Sequence, residues 1–202
     1  EREGNYPRGM FTAACALRQS QSGMSKANRK RNQTLNVLVA LATSLEEHVD
    51  SVVFVEQALG KFNSYQVRIR PHPAFSLKLV FASAPLMNRD FFTPSKGPLT
   101  EDMEWADVVI YGSSTVGLEA VSMGIPAIHL DLGEFLDTDP MFGWSEFKWS
   151  VEEPHQLFKV IQEIDNMSDK EFKTRQQKGQ TYAAAYLKPV TDSALRLFSE
   201  TA

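Results

Sequence analysis

Cysteine is nearly absent from this chain, which has Cys15 as its one thiol among 202 residues. A single cysteine excludes a disulfide framework within the chain and suits a reducing compartment, so we expect a cytoplasmic protein. No run reaches the roughly 18 apolar residues that a membrane span needs, and we find no signal peptide. The pattern Gly-x4-Gly-Lys-Ser/Thr is also missing, which excludes a P-loop enzyme.

Positive charge is scarce as well: 21 Lys and Arg stand against 25 Asp and Glu, giving a formal net charge of −4. An acidic chain has no overall attraction for nucleic acid or for an anionic membrane, so an anion must bind at a local site. Apolar residues, in contrast, make up 43% of the chain, enough for an ordinary globular core. The length fits one domain of roughly 150 residues with extensions.

The sequence divides into three parts. Residues 1–34 are interpreted as a linker or N-terminal remnant, 35–188 as the main folded domain, and 189–202 as a C-terminal helical tail. The first part contains a basic cluster, Lys26, Arg29, Lys30 and Arg31. We interpret this cluster as solvated; contact with phospholipid head groups, and so peripheral association with the inner face of a membrane, is the alternative.

Short apolar runs alternate with helical patterns from residue 35 onwards. Continuous apolar runs such as 36–42 and 107–111 are typical of strands buried on both faces, as in parallel sheets. Further strands are predicted at 66–70, 90–93 and 126–130. Helices are predicted at 44–59, 74–84, 101–106, 115–123, 154–164 and 168–187. This alternation predicts the α/β class, with a Rossmann-like, doubly wound parallel sheet.

Two of these helices begin with the same signature. Ser44 is followed three residues later by Glu47, and Ser168 by Glu171, which is the pattern of a capping box. Ligands of doubly wound sheets bind at the carboxyl ends of the strands. The loops after residues 43, 70, 111 and 130 are therefore where we expect a functional site.

The loop after residue 111 is rich in hydroxyl groups. It consists of Gly112, Ser113, Ser114 and Thr115, between a buried strand and a helix. The first turn of that helix offers backbone N–H groups and the positive end of the dipole, and Gly112 allows close approach to the backbone. These features predict a site for a phosphate or diphosphate. The alternative is that one of the serines simply caps the helix.

Glu119 is out of place in the small, apolar helix that follows. It lies four residues after Thr115, hence on the same helical face and about 6 Å further along the axis. A carboxylate at that distance from a phosphate can accept hydrogen bonds from ribose hydroxyls, and we predict this role. The alternative is a glutamate that faces solvent.

A second group of candidate ligands ends the strand at 66–70. Arg70 is followed by His72, which has a proline on each side. The prolines fix the backbone and reduce the entropy lost when the ring is held in place. We predict that His72 donates to a phosphate oxygen and balances the charge of the departing nucleotide, and that Arg70 assists. A structural histidine and a solvated or paired arginine are the alternatives.

Four carboxylates follow the strand at 126–130: Asp131, Glu134, Asp137 and Asp139. Their spacing does not match a calcium loop and no histidine accompanies them, so no metal site is predicted. Carboxylates also accept hydrogen bonds from sugar hydroxyls. Sugar contact and plain solvated surface remain equal alternatives for this loop.

Four motifs in this order resemble one protein family. They are Arg-Pro-His-Pro at 70–73, Ala-Asp-Val-Val-Ile at 106–110 with Gly-Ser-Ser-Thr at 112–115, Gly-Leu-Glu-Ala at 117–120 and Gly-Ile-Pro-Ala at 124–127. Residues 35–187 thereby resemble the C-terminal, donor-binding domain of GT-B-fold glycosyltransferases, above all the bacterial surface-polysaccharide enzymes. In bacterial sialyl- and Kdo-transferases a His-Pro pair and a Ser-Ser or Ser-Thr pair contact the donor phosphate.

The resemblance implies a transferase that uses a nucleotide sugar as its substrate, with no cofactor and no divalent metal. It assigns the phosphate to His72, Ser113 and Ser114. By similarity to UDP-sugar 2-epimerases it assigns the ribose to Glu119. The catalytic base of such enzymes comes from an N-terminal lobe. Because the chain begins at Glu1 and has no room for that lobe, we expect a part of a longer polypeptide that is inactive alone.

Other functions remain open at this point. One is a non-catalytic domain that binds a nucleotide sugar, and another is an enzyme that resembles the UDP-sugar epimerases. A serine hydrolase is a third, with Ser114 as the nucleophile. Its Gly-x-Ser-x-Gly signature is incomplete, because Val116 stands where the second glycine belongs.

Overall fold

The computed structural model describes residues 34–42, 44–85, 88–133, 138–187, 191–192 and 195–196. Six strands in these ranges form one sheet: β1 (Leu35–Ala40), β2 (Tyr65–Arg70), β3 (Phe92–Pro94), β4 (Val108–Tyr111), β5 (Ala127–Leu130) and β6 (Lys148–Val151). The helices are α1 (Leu45–Leu59), α2 (Leu77–Ser83), α3 (Leu99–Trp105), α4 (Val116–Ser122), α5 (Pro154–Asn166) and α6 (Asp169–Tyr186), with a 3-10 turn at Arg89–Phe91. The predicted linker and tail lie outside the described residues, apart from residues 34, 191–192 and 195–196.

The strands follow one another in the order β3-β2-β1-β4-β5-β6, and all five neighbouring pairs are parallel. This is the strand order of dinucleotide-binding Rossmann folds. The sheet is wound in two directions from its centre, because the chain moves outward from β1 to β3 and then returns to continue with β4. The predicted α/β, Rossmann-like sheet is confirmed.

Both faces of the sheet are covered. Alternate residues of β1 point to opposite faces, and both sets are buried: Val37 and Val39 belong to one core cluster and Leu38 to the other. The first cluster includes residues of α1 and α5, namely Val52, Val55, Leu157 and Ile161. The second includes residues of α3, α4 and α6, namely Met103, Leu118, Val121 and Ala183. Burial on both faces explains why the strands read as continuous apolar runs.

Several boundaries differ from the sequence prediction. Strand β6 was not predicted, α3 begins at Leu99 instead of residue 101, and α2 covers Leu77–Ser83 within the predicted 74–84. Helix α4 ends at Ser122, and Gly124 follows with a φ of 78°, a conformation that glycine adopts without strain.

Candidate functional site

The carboxyl ends of β1 and β4 lie side by side, since Ala40 pairs with Tyr111 at the last position of each strand. The chain leaves these two strands in opposite directions along the sheet, toward β2 and toward β5. Such a switch in direction is where ligands bind in open α/β sheets. Helix α1 begins beside it after Ser44, and α4 after Thr115.

The β4–α4 turn, residues 112–115, has a defined hydrogen-bond pattern. The N–H of Ser114 donates to the carbonyl of Gly112 at 2.7 Å, and the hydroxyl of Ser114 accepts from the N–H of Val116 at 3.3 Å. The Ser113 hydroxyl lies 2.5 Å from that of Thr138, which joins the turn to the loop after β5. The N-cap of α4 is Thr115, which makes no side-chain capping hydrogen bond, so the Ser114 contact closes the turn just before the helix. The hydroxyls lie at the predicted edge of the sheet.

Glu47 reaches this turn from the first turn of α1. Its side chain is buried, with 6% exposure, and its Oε1 accepts a hydrogen bond from the N–H of Ser113 at 2.7 Å. The sequence reading missed this contact because it assigned Glu47 to a capping box. The structure shows one half of that box, in which the Ser44 hydroxyl accepts from the N–H of Glu47 at 3.0 Å.

Glu119 lies one helical turn beyond Thr115, on the same face of α4, as the spacing predicts. Its side chain is half-buried, and its Oε1 accepts a hydrogen bond from the Thr115 hydroxyl at 3.5 Å. The structure therefore places a carboxylate and a hydroxyl together at the start of α4.

Arg70 is occupied by a polar network on the α3 side of β2. Its Nη1 donates to Oδ2 of Asp102 at 2.8 Å, to the carbonyl of Gly97 at 2.8 Å and to the hydroxyl of Ser95 at 3.1 Å. Asp102 is buried and also binds Arg68 at 3.0 Å. Arg70 thus has the paired, structural role that the sequence left as an alternative, while 28% of its side chain stays exposed.

His72 follows β2 at the same edge of the sheet, with its side chain half-buried. Its Nδ1 accepts from the N–H of Ala74 at 3.3 Å. The ring of His48, from α1, lies nearby and is fully buried; its Nε2 donates to the carbonyl of Ala42 at 2.8 Å. Burial lowers the pKa of His48, the Ala42 hydrogen bond opposes this, and the nearby His72 lowers it further. His48 is therefore neutral at neutral pH.

The acidic loop after β5 contains carboxylates in two different environments. Asp131 lines an open cavity of about 650 Å³ together with Asp50, Glu152 and apolar side chains of α1 and the loop. Asp139, in contrast, is buried and ion-paired with Lys148. Of the four predicted carboxylates, those at 134 and 137 lie outside the described residues. Asp139 thus forms a buried ion pair with Lys148, whereas the sequence left sugar contact and solvated surface as the alternatives for this loop.

No group of three or more His, Cys, Asp or Glu side chains within the described ranges is arranged to hold a metal ion. No helix in the same part of the chain has the length and apolar character to cross a membrane.

No family model matches this sequence, and no curated protein matches it. Solved structures do match. The glycotransferase of kitacinnamycin superposes with a TM-score of 0.59 at 15% identity, over 94% of this chain and 48% of that one. CalG4, the calicheamicin glycosyltransferase, gives 0.55 at 13% identity, over 88% and 44%. The wall teichoic acid polymerase TagF gives 0.52 at 14% identity, over 91% and 45%.

At 13–15% identity these matches show the fold alone. The described residues form the Rossmann-like α/β fold found in glycosyltransferases of the GT-B type. The chain spans about half the length of the structures that it matches.

Proposed function

We propose that this chain is the donor-binding lobe of a GT-B glycosyltransferase, which binds a nucleotide sugar and passes the sugar to a surface glycan. The observation that carries the proposal is the position of the β4–α4 turn. Its three consecutive hydroxyls lie at the switch point of a parallel sheet in the order β3-β2-β1-β4-β5-β6, and the solved structures with similar folds include several glycosyltransferases. A ligand with a phosphate and a ribose fits such an edge.

The hydroxyl groups of the turn and Glu119 would hold the two parts of the nucleotide. Ser113 and Thr115 would donate to the phosphate, close to the N-terminal end of α4, whose dipole favours negative charge. Glu119, about 6 Å further along the helix axis, would accept from the ribose hydroxyls. Its contact with Thr115 at 3.5 Å is long for a hydrogen bond, and a ribose hydroxyl at a shorter distance would replace it.

His72 and Arg70 would contribute from the neighbouring strand. His72 would donate to the phosphate and balance the charge of the departing nucleotide, which is the catalytic role that we propose for it. Arg70 keeps its pairing with Asp102, and its partly exposed side chain would add positive charge at the same edge. Preorganised donors of this kind stabilise a leaving phosphate without a divalent metal or a further cofactor.

The acceptor and the second lobe complete the proposal. TagF, one of the matching structures, is a wall teichoic acid polymerase, which supports an acceptor at the cell surface. The chain spans about half of such structures, so the base that activates the acceptor would come from an N-terminal lobe of the same polypeptide. We place the enzyme in the cytoplasm; peripheral contact with the membrane is the alternative.

Titration calorimetry of the whole 202-residue chain with UDP, CMP, CDP, GDP and ADP tests the proposal. We expect saturable binding of one nucleotide. Glu119→Ala should weaken that binding by about 1–3 kcal/mol, because hydrogen bonds to the ribose are lost.

Glu104→Ala is the matched control for this titration. Glu104 lies in α3, a helix of the same length as α4, and is exposed in its last turn. We expect this variant to bind as the wild type does. Failure of the folded chain to bind any of the nucleotides, or equal affinity of the Glu119→Ala variant, would contradict the proposed site.

The serine hydrolase alternative receives no support from the contact of Ser114. An activated serine donates its proton to a neighbouring base. Among the described residues the Ser114 hydroxyl accepts a hydrogen bond from the N–H of Val116 and donates none to a histidine or a carboxylate.

A further inference from the structure

Glu47 is a buried carboxylate at the point where β1 and β4 end. It comes from the first turn of α1, and its Oε1 accepts from the N–H of Ser113 at 2.7 Å. The contact joins two segments that are 66 residues apart in the sequence. A hydrogen bond between an ionised acceptor and a backbone donor is stronger than a neutral one, particularly where water is excluded.

Gly112 leaves the space that this carboxylate occupies. A Cβ added at Gly112 would lie 2.1 Å from Oε1 of Glu47, and the next two atoms, at 3.2 and 3.7 Å, also belong to Glu47. The backbone of Gly112 is not in the left-handed region, where positive φ values are found only at 124, 133 and 143 among the described glycines. Glycine is therefore needed at position 112 because it has no side chain, which leaves room for the Glu47 carboxylate.

We propose that Glu47 is a positioning residue that fixes the β4–α4 turn against α1 and thereby sets the place of the hydroxyls that receive the donor phosphate. This inference rests on the proposed function. It changes one detail of the sequence prediction, which assigned the open space at Gly112 to the ligand. Because the N–H of Ser113 already donates to Glu47, the phosphate would be held mainly by the hydroxyl groups of the turn.

The first test compares Glu47→Gln with Glu47→Ala by nucleotide titration of the whole chain. Glutamine keeps an acceptor oxygen at the same position, so we expect its affinity within about threefold of the wild type. Alanine removes the acceptor, and we expect a loss of about tenfold or more, as for one hydrogen bond to a charged group. Glu46→Ala is the matched control, because Glu46 is exposed in the same helical turn.

The direction of the change decides between positioning and competition. If Glu47 competed with the phosphate for the N–H of Ser113, both variants would bind the nucleotide more tightly than the wild type. Tighter binding by both, or unchanged affinity of Glu47→Ala, would overturn the proposal. Circular dichroism and the melting temperature confirm that each variant is folded before its affinity is compared.

A second test does not depend on nucleotide binding. Amide hydrogen exchange at Ser113, followed by NMR, should be slow in the wild type and in Glu47→Gln and at least tenfold faster in Glu47→Ala, because the acceptor is lost. Equal exchange in all three chains would overturn the contact itself. Slow exchange in a chain that binds no nucleotide would support the contact while refuting the proposed function.

The pair of residues also predicts a double-mutant result. Gly112→Ala should lower the melting temperature of the wild type by several degrees, since the new methyl group overlaps the Glu47 carboxylate. In the Glu47→Ala background the three nearest atoms, all from the Glu47 side chain beyond Cβ, are gone, and the same change should lower the melting temperature little. Additive effects of the two substitutions would mean that Gly112 is required for another reason.

Discussion

A small group of polar side chains is buried under the β4–α4 turn, around Tyr111. The Tyr111 hydroxyl donates to Oδ1 of Asp139 at 2.8 Å, the N–H of Met141 donates to the same atom at 3.0 Å, and Lys148 forms an ion pair with the other oxygen. Burial alone would raise the pKa of Asp139, but the hydrogen bonds from Lys148, Met141 and Tyr111 hold it below its ordinary value. Asp139 thereby fixes the loop that brings Thr138 to Ser113.

The ion pair predicts how stability depends on pH. A depressed pKa means that Asp139 stabilises the fold fully above its unfolded pKa of about 4, and that this contribution is lost as the pH falls through the lower folded pKa. Lys148→Met leaves the carboxylate buried without a cation, and we expect a loss of about 3–5 kcal/mol at pH 7. Urea denaturation at pH 7 and at pH 3 measures both effects.

Lys159→Met is the control for that measurement, because Lys159 is an exposed lysine of α5. It should change the free energy of unfolding little at either pH. The difference between Lys148→Met and the wild type should shrink at the lower pH, where Asp139 begins to bind a proton. A constant difference would mean that the lysine stabilises the fold without acting on Asp139.

Residue-level prediction from the sequence succeeded where the signal was local. The spacing of Thr115 and Glu119 fixed their common face on α4, and the structure shows them in contact. Partners distant in sequence left no such signal. Nothing near Arg70 indicates that Asp102 binds it, and nothing near Gly112 indicates that Glu47 needs its space.

At the scale of elements, the two predicted capping boxes form only in part, because their glutamate carboxylates bind other partners. Ser44 and Ser168 both accept from the predicted N–H groups, those of Glu47 and Glu171. The carboxylate of Glu171, however, pairs with Arg175 one turn later. A complete capping box occurs in α5, between Glu153 and Gln156, where the sequence reading did not predict it because no Ser or Thr is present.

Strand β6 was missed for a related reason. It has four residues, begins with Lys148 and follows a long irregular stretch, so no continuous apolar run marks it. Its place is set by pairing with β5, in which Ile128 aligns with Trp149 and Leu130 with Val151. Pairing of this kind depends on tertiary context that a single sequence does not display.

Asp102 connects α3 to β2, and this predicts a stability effect. Asp102→Ala removes the acceptor of hydrogen bonds from Arg68 and Arg70, so we expect a loss of about 1.5–3 kcal/mol in the free energy of unfolding. Thermal and urea denaturation measure the loss. Glu101→Ala, an exposed neighbour in the same helix, is the control and should have little effect.

The same Asp102 variant tests the proposed role of Arg70. With Asp102 absent, Arg70 loses the partner that orients it. If its guanidinium contributes to phosphate binding, nucleotide affinity should fall in Asp102→Ala and remain unchanged in Glu101→Ala. Unchanged affinity in both would restrict Arg70 to its structural contact.

At the scale of the whole molecule, the sequence was most informative about the fold. Continuous apolar strands that alternate with helices require a sheet covered on both faces, and the two core clusters on either side of β1 confirm this arrangement. The candidate site followed from the fold, because ligands of such sheets bind where the strand order switches. The contacts that shape the site depend on which loops meet there, and only the folded chain shows them.

The proposed function puts donor binding in this chain and the base that activates the acceptor in another lobe, which gives a prediction for the 202-residue chain. We expect it to bind a nucleotide sugar but to transfer no sugar, since the acceptor base would lie in the other lobe. Incubation of the 202-residue chain with a labelled nucleotide sugar and candidate glycan acceptors measures this. Sugar transfer by this chain alone, abolished in His72→Ala, would show that it contains a complete active site.

The central position of β1 has a consequence for synthesis of the protein. One edge of β1 is covered once residues 65–70 have been made, but the other waits for β4 at 108–111, about 40 residues later. At roughly 5–20 residues per second, that interval lasts about 2–8 s on the ribosome. During it, a largely apolar strand presents unpaired N–H and C=O groups to its surroundings. The nascent chain is therefore most exposed to misassembly before its fourth strand emerges.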